Sequence, residues 1–106
     1  MIKKELEKDI QLAICDYLKL KHYFFWRENN TPIFDRNKNL FRAMPKYSIQ
    51  GVPDIILIKD GKFIGIEVKR KGNKQSETQV KFQRLLELAG GRYYLVYSLD
   101  DVIKIL

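Results

Sequence analysis

The chain of 106 residues holds one cysteine and one histidine, and that scarcity excludes several chemistries. Cys15 alone cannot form an intramolecular disulfide, so nothing points to an oxidising compartment. Together with His22 it falls short of the four nitrogen and sulfur ligands of a usual Zn²⁺ site, so any metal must be held by carboxylates. No apolar run is long enough to span a bilayer, and Met1-Ile2-Lys3-Lys4-Glu5 lacks a secretory apolar core. A cytoplasmic protein without a membrane role is therefore expected. There is no internal repeat and no low-complexity segment. The length suits one domain over residues 1–106, with a real but modest core. Acids are also in deficit. Thirteen Asp and Glu against twenty Lys and Arg leave a net charge of +7, which favours a polyanionic partner, nucleic acid first and an acidic membrane second.

What the chain does have is a hairpin that carries acids. Asp60-Gly61 is a strong two-residue turn signal, because glycine tolerates the positive φ that a tight turn demands. The turn sets Lys59 opposite Lys62 and Ile58 opposite Phe63, and counting outwards sets Asp54 across from Glu67. Side chains alternate along a strand, so Lys69 projects from the same face as Glu67. Glu67-x-Lys69 by itself is a common tripeptide that fits a solvated strand face. An acid in register with it is harder to explain by packing. Directly opposed residues have Cβ atoms about 5 Å apart, and like charges there destabilise a sheet, by on the order of 3 kcal/mol at an effective dielectric near 20. A hard divalent cation removes that penalty, and Mg²⁺ is typically held by one or two carboxylates with several waters. The lysine could then orient a water or stabilise charge on a phosphate.

The remaining elements read as α/β, in the order α-β-β-β-α-β-α. Residues from Lys3 to Leu20 have helical spacing, with Leu6, Ile10, Ala13, Ile14, Tyr17 and Leu18 on one face. His22 to Arg27 reads as a strand. Residues 29–50 are polar, contain Pro32 and Pro45, and lack periodicity, so loop or irregular strand is expected. The hairpin is apolar on both faces and belongs at the centre of the sheet. A second helix runs from Ser76 to Ala89 and stops at Gly90-Gly91. Tyr93 to Tyr97 is a strand, and Ser98 starts a last helix with Asp101 in capping-box position.

The run Gly51-Val52-Pro53-Asp54, Ile66-Glu67-Val68-Lys69, Ser76-Glu77-Thr78-Gln79 and Gly90-Gly91 resembles the VRR-NUC domain, a virus-type replication and repair nuclease family of the PD-(D/E)XK superfamily. The likeness extends to Glu7-Lys8-Asp9-Ile10-Gln11 and to Tyr97-Ser98-Leu99-Asp100-Asp101, and so covers nearly the whole chain. It implies a restriction-endonuclease-like fold, a central mixed sheet flanked by helices. It implies Mg²⁺ or Mn²⁺ held by Asp54, Glu67 and the backbone carbonyl of Val68, Lys69 as the catalytic lysine, and Glu7 and Gln79 as supporting residues of the active site. It also implies cleavage to a 5′-phosphate and a 3′-hydroxyl, and assembly as a homodimer.

Two of these residues have structural readings of their own. Helical phase at about 100° per residue puts Glu7 at the edge of the apolar face, near the line of Ile14 and Leu18. Its stem could simply cover apolar surface there. Ser76-x-x-Gln79 is a capping box in which Gln79 bonds back to the amide of Ser76, and Glu77 suits the helix dipole. Basic residues follow the second hairpin strand as Lys69-Arg70-Lys71-Gly72-Asn73-Lys74. The middle segment adds Arg36, Lys38, Arg42 and Lys46, interleaved with Phe34, Phe41 and Tyr47. Such charge either solvates a loop or collects phosphates, and the aromatics could stack on bases. Arg70, Lys71 and Lys74 flank the acids and are expected at DNA, with Arg42 and Lys46 as further candidates. Arg27 reaches either the same cleft or a partner near Glu28.

The leading expectation is a metal-dependent endonuclease acting on branched or single-strand-containing DNA in replication, repair or recombination. A junction resolvase would share the fold. A catalytically idle nucleic-acid-binding module is the alternative from another class, although binding alone has no need of opposed carboxylates. A basic protein adaptor stands last.

Overall fold

A computed structural model describes residues 6–28, 34–35, 40–41 and 45–106. Helix α1 (Glu7–Leu20) is followed by strand β1 (Phe24–Arg27) and by two short strands, β2 (Phe34–Asp35) and β3 (Leu40–Phe41). The hairpin is β4 (Ile55–Lys59) and β5 (Lys62–Val68), and the chain then gives α2 (Glu77–Leu88), β6 (Arg92–Val96) and α3 (Leu99–Ile105). The main sheet has the order β1-β4-β5-β6. Its first two pairings are antiparallel and the last, β5 with β6, is parallel.

Turn chemistry fixes the hairpin as the sequence predicts. Asp60 and Gly61 both take positive φ, 52° and 76°, the pattern of a type I′ turn. Lys59 pairs with Lys62 and Ile55 with Ile66. One face of the sheet carries Ile55, Leu57, Ile64, Ile66, Val68 and Val96, which pack with Ile10, Ile14 and Leu18 of α1 and Val102 of α3. Helical spacing of four residues brings those three α1 side chains onto one stripe, and each fully buried Ile or Leu is worth about 1.5–3 kcal/mol. The opposite face holds Ile56, Gly65 and Tyr93 in one row. Pro53 and Leu86 of α2 close over Gly65, where a Cβ would come within 2.6 Å of Pro53 Cγ.

Both long helices end in the same way. In α1, His22 has φ 63°, with bonds from His22 N to Lys19 O and from Tyr23 N to Leu18 O, each 3.0 Å. In α2, Gly90 has φ 95°, with Gly90 N on Glu87 O at 3.1 Å and Gly91 N on Leu86 O at 2.9 Å. These are Schellman bonds. The first of them makes His22 a helix stop.

Some boundaries differ from expectation. Leu6 is extended, at φ −89° and ψ 151°, so α1 starts at Glu7 rather than Lys3. The left-handed His22 delays β1 to Phe24. The segment expected as loop or irregular strand contributes the β2–β3 pair. At α3, Asp101 N bonds Ser98 Oγ at 3.3 Å, but the Asp101 carboxylate takes Tyr97 N at 2.8 Å instead of closing a box on Ser98. Among the described residues no helix is long and apolar enough to cross a membrane.

Candidate active site

The two acids meet where the hairpin strands end. Continuing the register from Ile55 and Ile66 sets Asp54 opposite Glu67. The Asp54 side chain is held by the backbone, since Val68 N donates to Asp54 Oδ2 at 2.8 Å. Pro53 lies opposite Val68 by the same register and has no N–H to donate to the Val68 carbonyl. The Val68 carbonyl loses its cross-strand donor at the same place, while its side chain is fully buried on the far face.

Glu67 is the buried ionisable side chain among the described residues, 2% exposed. Gln79 Nε2 donates to its Oε1 at 2.8 Å, while Glu67 Oε2 is buried with no partner. Burial first, and then the Asp54 charge, pushes the Glu67 carboxyl up to about 8. Burial also raises Asp54, against the pull of the Val68 amide. With both acids ionised neither can donate to the other. A proton on Glu67 removes the repulsion between the two acids, and a cation would do the same work without the proton. Lys69 continues the parallel ladder, its N bonding Val96 O at 3.0 Å. Its positive charge lowers the pKa of both acids.

Gln79 closes the capping box read for it and also donates to Glu67. Its Oε1 accepts from Ser76 N at 2.8 Å, and Ser76 Oγ accepts from Gln79 N at 3.3 Å. That capping box fixes the carbonyl end of the amide and leaves the NH₂ end for Glu67. The helix start is pressed against the loop that delivers Asp54. Gly51 has φ 79°, and a Cβ there would lie 2.2 Å from Thr78 O and 2.9 Å from Gln79 N.

Glu7 also arrives at the acid end of the sheet. Its Oε1 accepts from Arg70 N at 3.2 Å and from Asn73 Nδ2 at 3.1 Å. Its charge adds to the pressure that raises Asp54 and Glu67. Among the described residues, no group of three or more His, Cys, Asp or Glu is placed to hold a metal. The donor set is therefore two carboxylates, one of them with an unsatisfied buried oxygen, beside a carbonyl without its ladder donor. Mg²⁺ or Mn²⁺, which keep several waters, fits such a set.

The chain superposes on a solved structure described as a VRR_NUC domain, with TM-score 0.65 over 93% of this chain and 91% of that one. The fold is that of a VRR_NUC domain. Sequence identity is 18%, so the likeness is one of architecture. No family model matches the sequence, and no curated protein matches it.

Within this VRR_NUC fold, Asp54, Glu67, Lys69, Gln79, Glu7 and the Val68 backbone converge. Arg70 is partly buried beside Glu7, while Lys71 and Lys74 are exposed on the same connection. Lys46 lies in an exposed turn with its Nζ 5.1 Å from the centre of the Tyr47 ring. Arg42 lies outside the described residues. Arg27 Nε donates to Gln11 Oε1 at 3.0 Å, one helical turn from Glu7.

Three features were missed by sequence reasoning. Asn73 anchors the basic connection to Glu7, and a glycine–asparagine pair after the basic run was the available signal. Gln75 Nε2 donates to Tyr93 Oη and to Gln83 Oε1, each at 3.0 Å. Burial, eased by that Gln75 bond and reinforced by the Glu67 and Asp54 charges, pushes the Tyr93 phenol up to about 12. Glu28 extends the acid row, since Glu28 N bonds Asp54 O at 2.7 Å and puts its side chain on the face of Asp54. Nothing local signals that neighbour.

Proposed function

We propose that the chain is a metal-dependent nuclease that hydrolyses phosphodiester bonds in DNA, selective for branched or single-strand-containing structures in replication, repair or recombination. The observation that carries this reading is the unpartnered, buried Oε2 of Glu67 directly across from Asp54. Two acids forced together at the end of an apolar hairpin cost stability unless a cation joins them.

Asp54, Glu67 and the Val68 carbonyl would hold Mg²⁺ or Mn²⁺, with both carboxylates ionised when the ion is bound. When bound, such an ion acidifies a coordinated water and neutralises charge on phosphoryl oxygens. The chain's own groups do the rest. Gln79 fixes the Glu67 carboxylate through one N–H and is itself locked by Ser76, which limits the reorganisation needed as charge develops. Lys69 places an ammonium beside both acids, where it orients the attacking water or stabilises the additional negative charge on the five-coordinate phosphorus. Water adds to phosphorus, the P–O3′ bond breaks, and the 3′-oxygen leaves with a proton as the hydroxyl, giving a 5′-phosphate. Glu7 positions the basic connection, so that Arg70, Lys71 and Lys74 meet the flanking phosphates. The working assembly is a homodimer, which sedimentation of the purified chain tests.

The deciding experiment incubates the protein with labelled flap, four-way junction, single-stranded and duplex DNA in Mg²⁺, Mn²⁺ or EDTA. Asp54→Asn and Lys69→Ala proteins run in parallel. Cleavage that requires metal and is lost in both variants supports the reading. Retention of DNA without cleavage under every metal condition would overturn it in favour of an idle binding module.

A further inference from the structure

On the sheet face that carries Asp54 and Glu67, α2 covers the side towards β6, and among the described residues two large aromatic side chains stand exposed at the other edge. Antiparallel register puts Phe24 opposite Ile58 and Trp26 opposite Ile56, while Glu28 continues the ladder beside Asp54. Because side chains alternate, Phe24, Trp26 and Glu28 share the face of the acids. Phe24 is 69% and Trp26 40% exposed. Their ring centres are 5.9 Å apart and their planes inclined by 55°.

The indole is not loose. Trp26 Nε1 donates to Glu28 Oε2 at 2.8 Å, which ties its polar edge to the residue next to Asp54 and uses up its one hydrogen-bond donor. What Trp26 has left to offer is a fixed π-face. A fixed ring loses little freedom when a flat partner settles on it. The partner must also suit a chain of net charge +7 and lie alongside a site built for a phosphate.

We infer that Phe24 and Trp26 form a stacking platform for unpaired bases of the DNA strand whose backbone is presented to Asp54 and Glu67. The inference rests on the nuclease reading for the placing of that strand, and it makes single-stranded character, not base sequence, the selected feature. Every base has a π-face, and with the indole N–H already bonded the rings have no donor that reads a base edge. Bases inside a duplex are already stacked and must be unpaired before they can reach the platform.

Trp26 is the chain's only tryptophan, so intrinsic fluorescence reports this position alone. The full chain is titrated with oligothymidylate and with a blunt duplex of equal length. Ca²⁺ replaces Mg²⁺, and a gel monitors cleavage. Anisotropy of the labelled strand measures binding independently. Saturable quenching of Trp26 by the single strand is expected, with little change for the duplex. Phe24→Ala should bind the single strand about tenfold more weakly, and Trp26→Phe should lose less affinity than Trp26→Ala. Strand binding seen by anisotropy without a change in Trp26 emission would overturn the inference, as would normal binding by Phe24→Ala or emission that shifts with protein concentration alone. Metal-dependent cleavage in Mg²⁺ together with silent Trp26 emission would sink the platform and leave the nuclease standing. Quenching by single strands without cleavage of any substrate would do the reverse.

Discussion

Gln79 sits between Ser76 and Glu67, its carbonyl oxygen 2.8 Å from one backbone amide and its amide nitrogen 2.8 Å from the other residue's carboxylate. One side chain thereby joins the start of α2 to the acid pair. The joint separates stability from ligand binding. Ser76→Ala removes the cap but not the donor to Glu67, and should cost about 1 kcal/mol in thermal denaturation with Mn²⁺ affinity nearly unchanged. Gln79→Ala should cost a similar amount and also weaken Mn²⁺ binding by about 10–100-fold, as loss of a group supporting a metal ligand does. Titration calorimetry on both variants checks the split.

The raised Glu67 carboxyl predicts an unusual pH profile. Glu67 is raised from an ordinary 4.5 to about 8 in the folded chain, so between those values the folded state binds more protons than the unfolded one. Stability of the metal-free protein should therefore be greatest in acid and fall as pH rises from about 4.5 towards 8, until other carboxylates protonate at the low end. Glu67→Gln should flatten that slope, and saturating Mg²⁺ should abolish it. Urea denaturation in EDTA across this range checks the sign, and stability that rises with pH would contradict it.

The acid pair was legible because its register needs only local information. Asp60-Gly61 sets the turn, and counting from it reaches Asp54 and Glu67. Glu7 and Gln79 were candidates through the family resemblance; helical phase only allowed Glu7 to face the sheet, and the Ser-x-x-Gln spacing announced only the cap. Glu28 was not legible, because β1 meets β4 across an intervening segment of more than twenty residues, and no short-range rule fixes which strands pair. The bond from Asn73 to Glu7 is hidden for the same reason, joining residues 66 apart in sequence. The late start of α1 depends on Leu6 taking an extended backbone, which its apolar character does not announce.

Gly51 is a position where any side chain should fail. Its φ of 79° disfavours an L-residue, and a Cβ would press on Thr78 O at 2.2 Å, a backbone atom held in the first turn of α2. Gly51→Ala should destabilise the fold by about 2–4 kcal/mol from strain and overlap together. It should also weaken metal binding, since the loop to Asp54 and the turn bearing Gln79 must part. Gly72, with φ 93° and open space around its Cβ, is the control. Gly72→Ala should carry the backbone cost alone, and a melting temperature no lower for Gly51→Ala than for Gly72→Ala would refute the packing argument.

Glu7 holds the basic connection by hydrogen bonds and acts on the acids by charge, and the two effects can be taken apart. Glu7→Gln keeps an oxygen for Arg70 N and Asn73 Nδ2 but removes the negative charge that helps raise Asp54 and Glu67. The midpoint of Glu67 should move down from about 8, so Mn²⁺ should compete with protons at lower pH than in the native chain. Glu7→Ala removes the charge as well, and it also releases Arg70 and Asn73. Both variants should share the shifted midpoint, read by carboxyl ¹³C NMR of the metal-free protein. Only Glu7→Ala should bind DNA more weakly, because Glu7→Gln keeps the phosphate-facing residues in place and takes one negative charge away from the path of the strand. Equal loss of DNA affinity in the two variants would mean that the carboxylate, and not its hydrogen bonds, organises the basic connection.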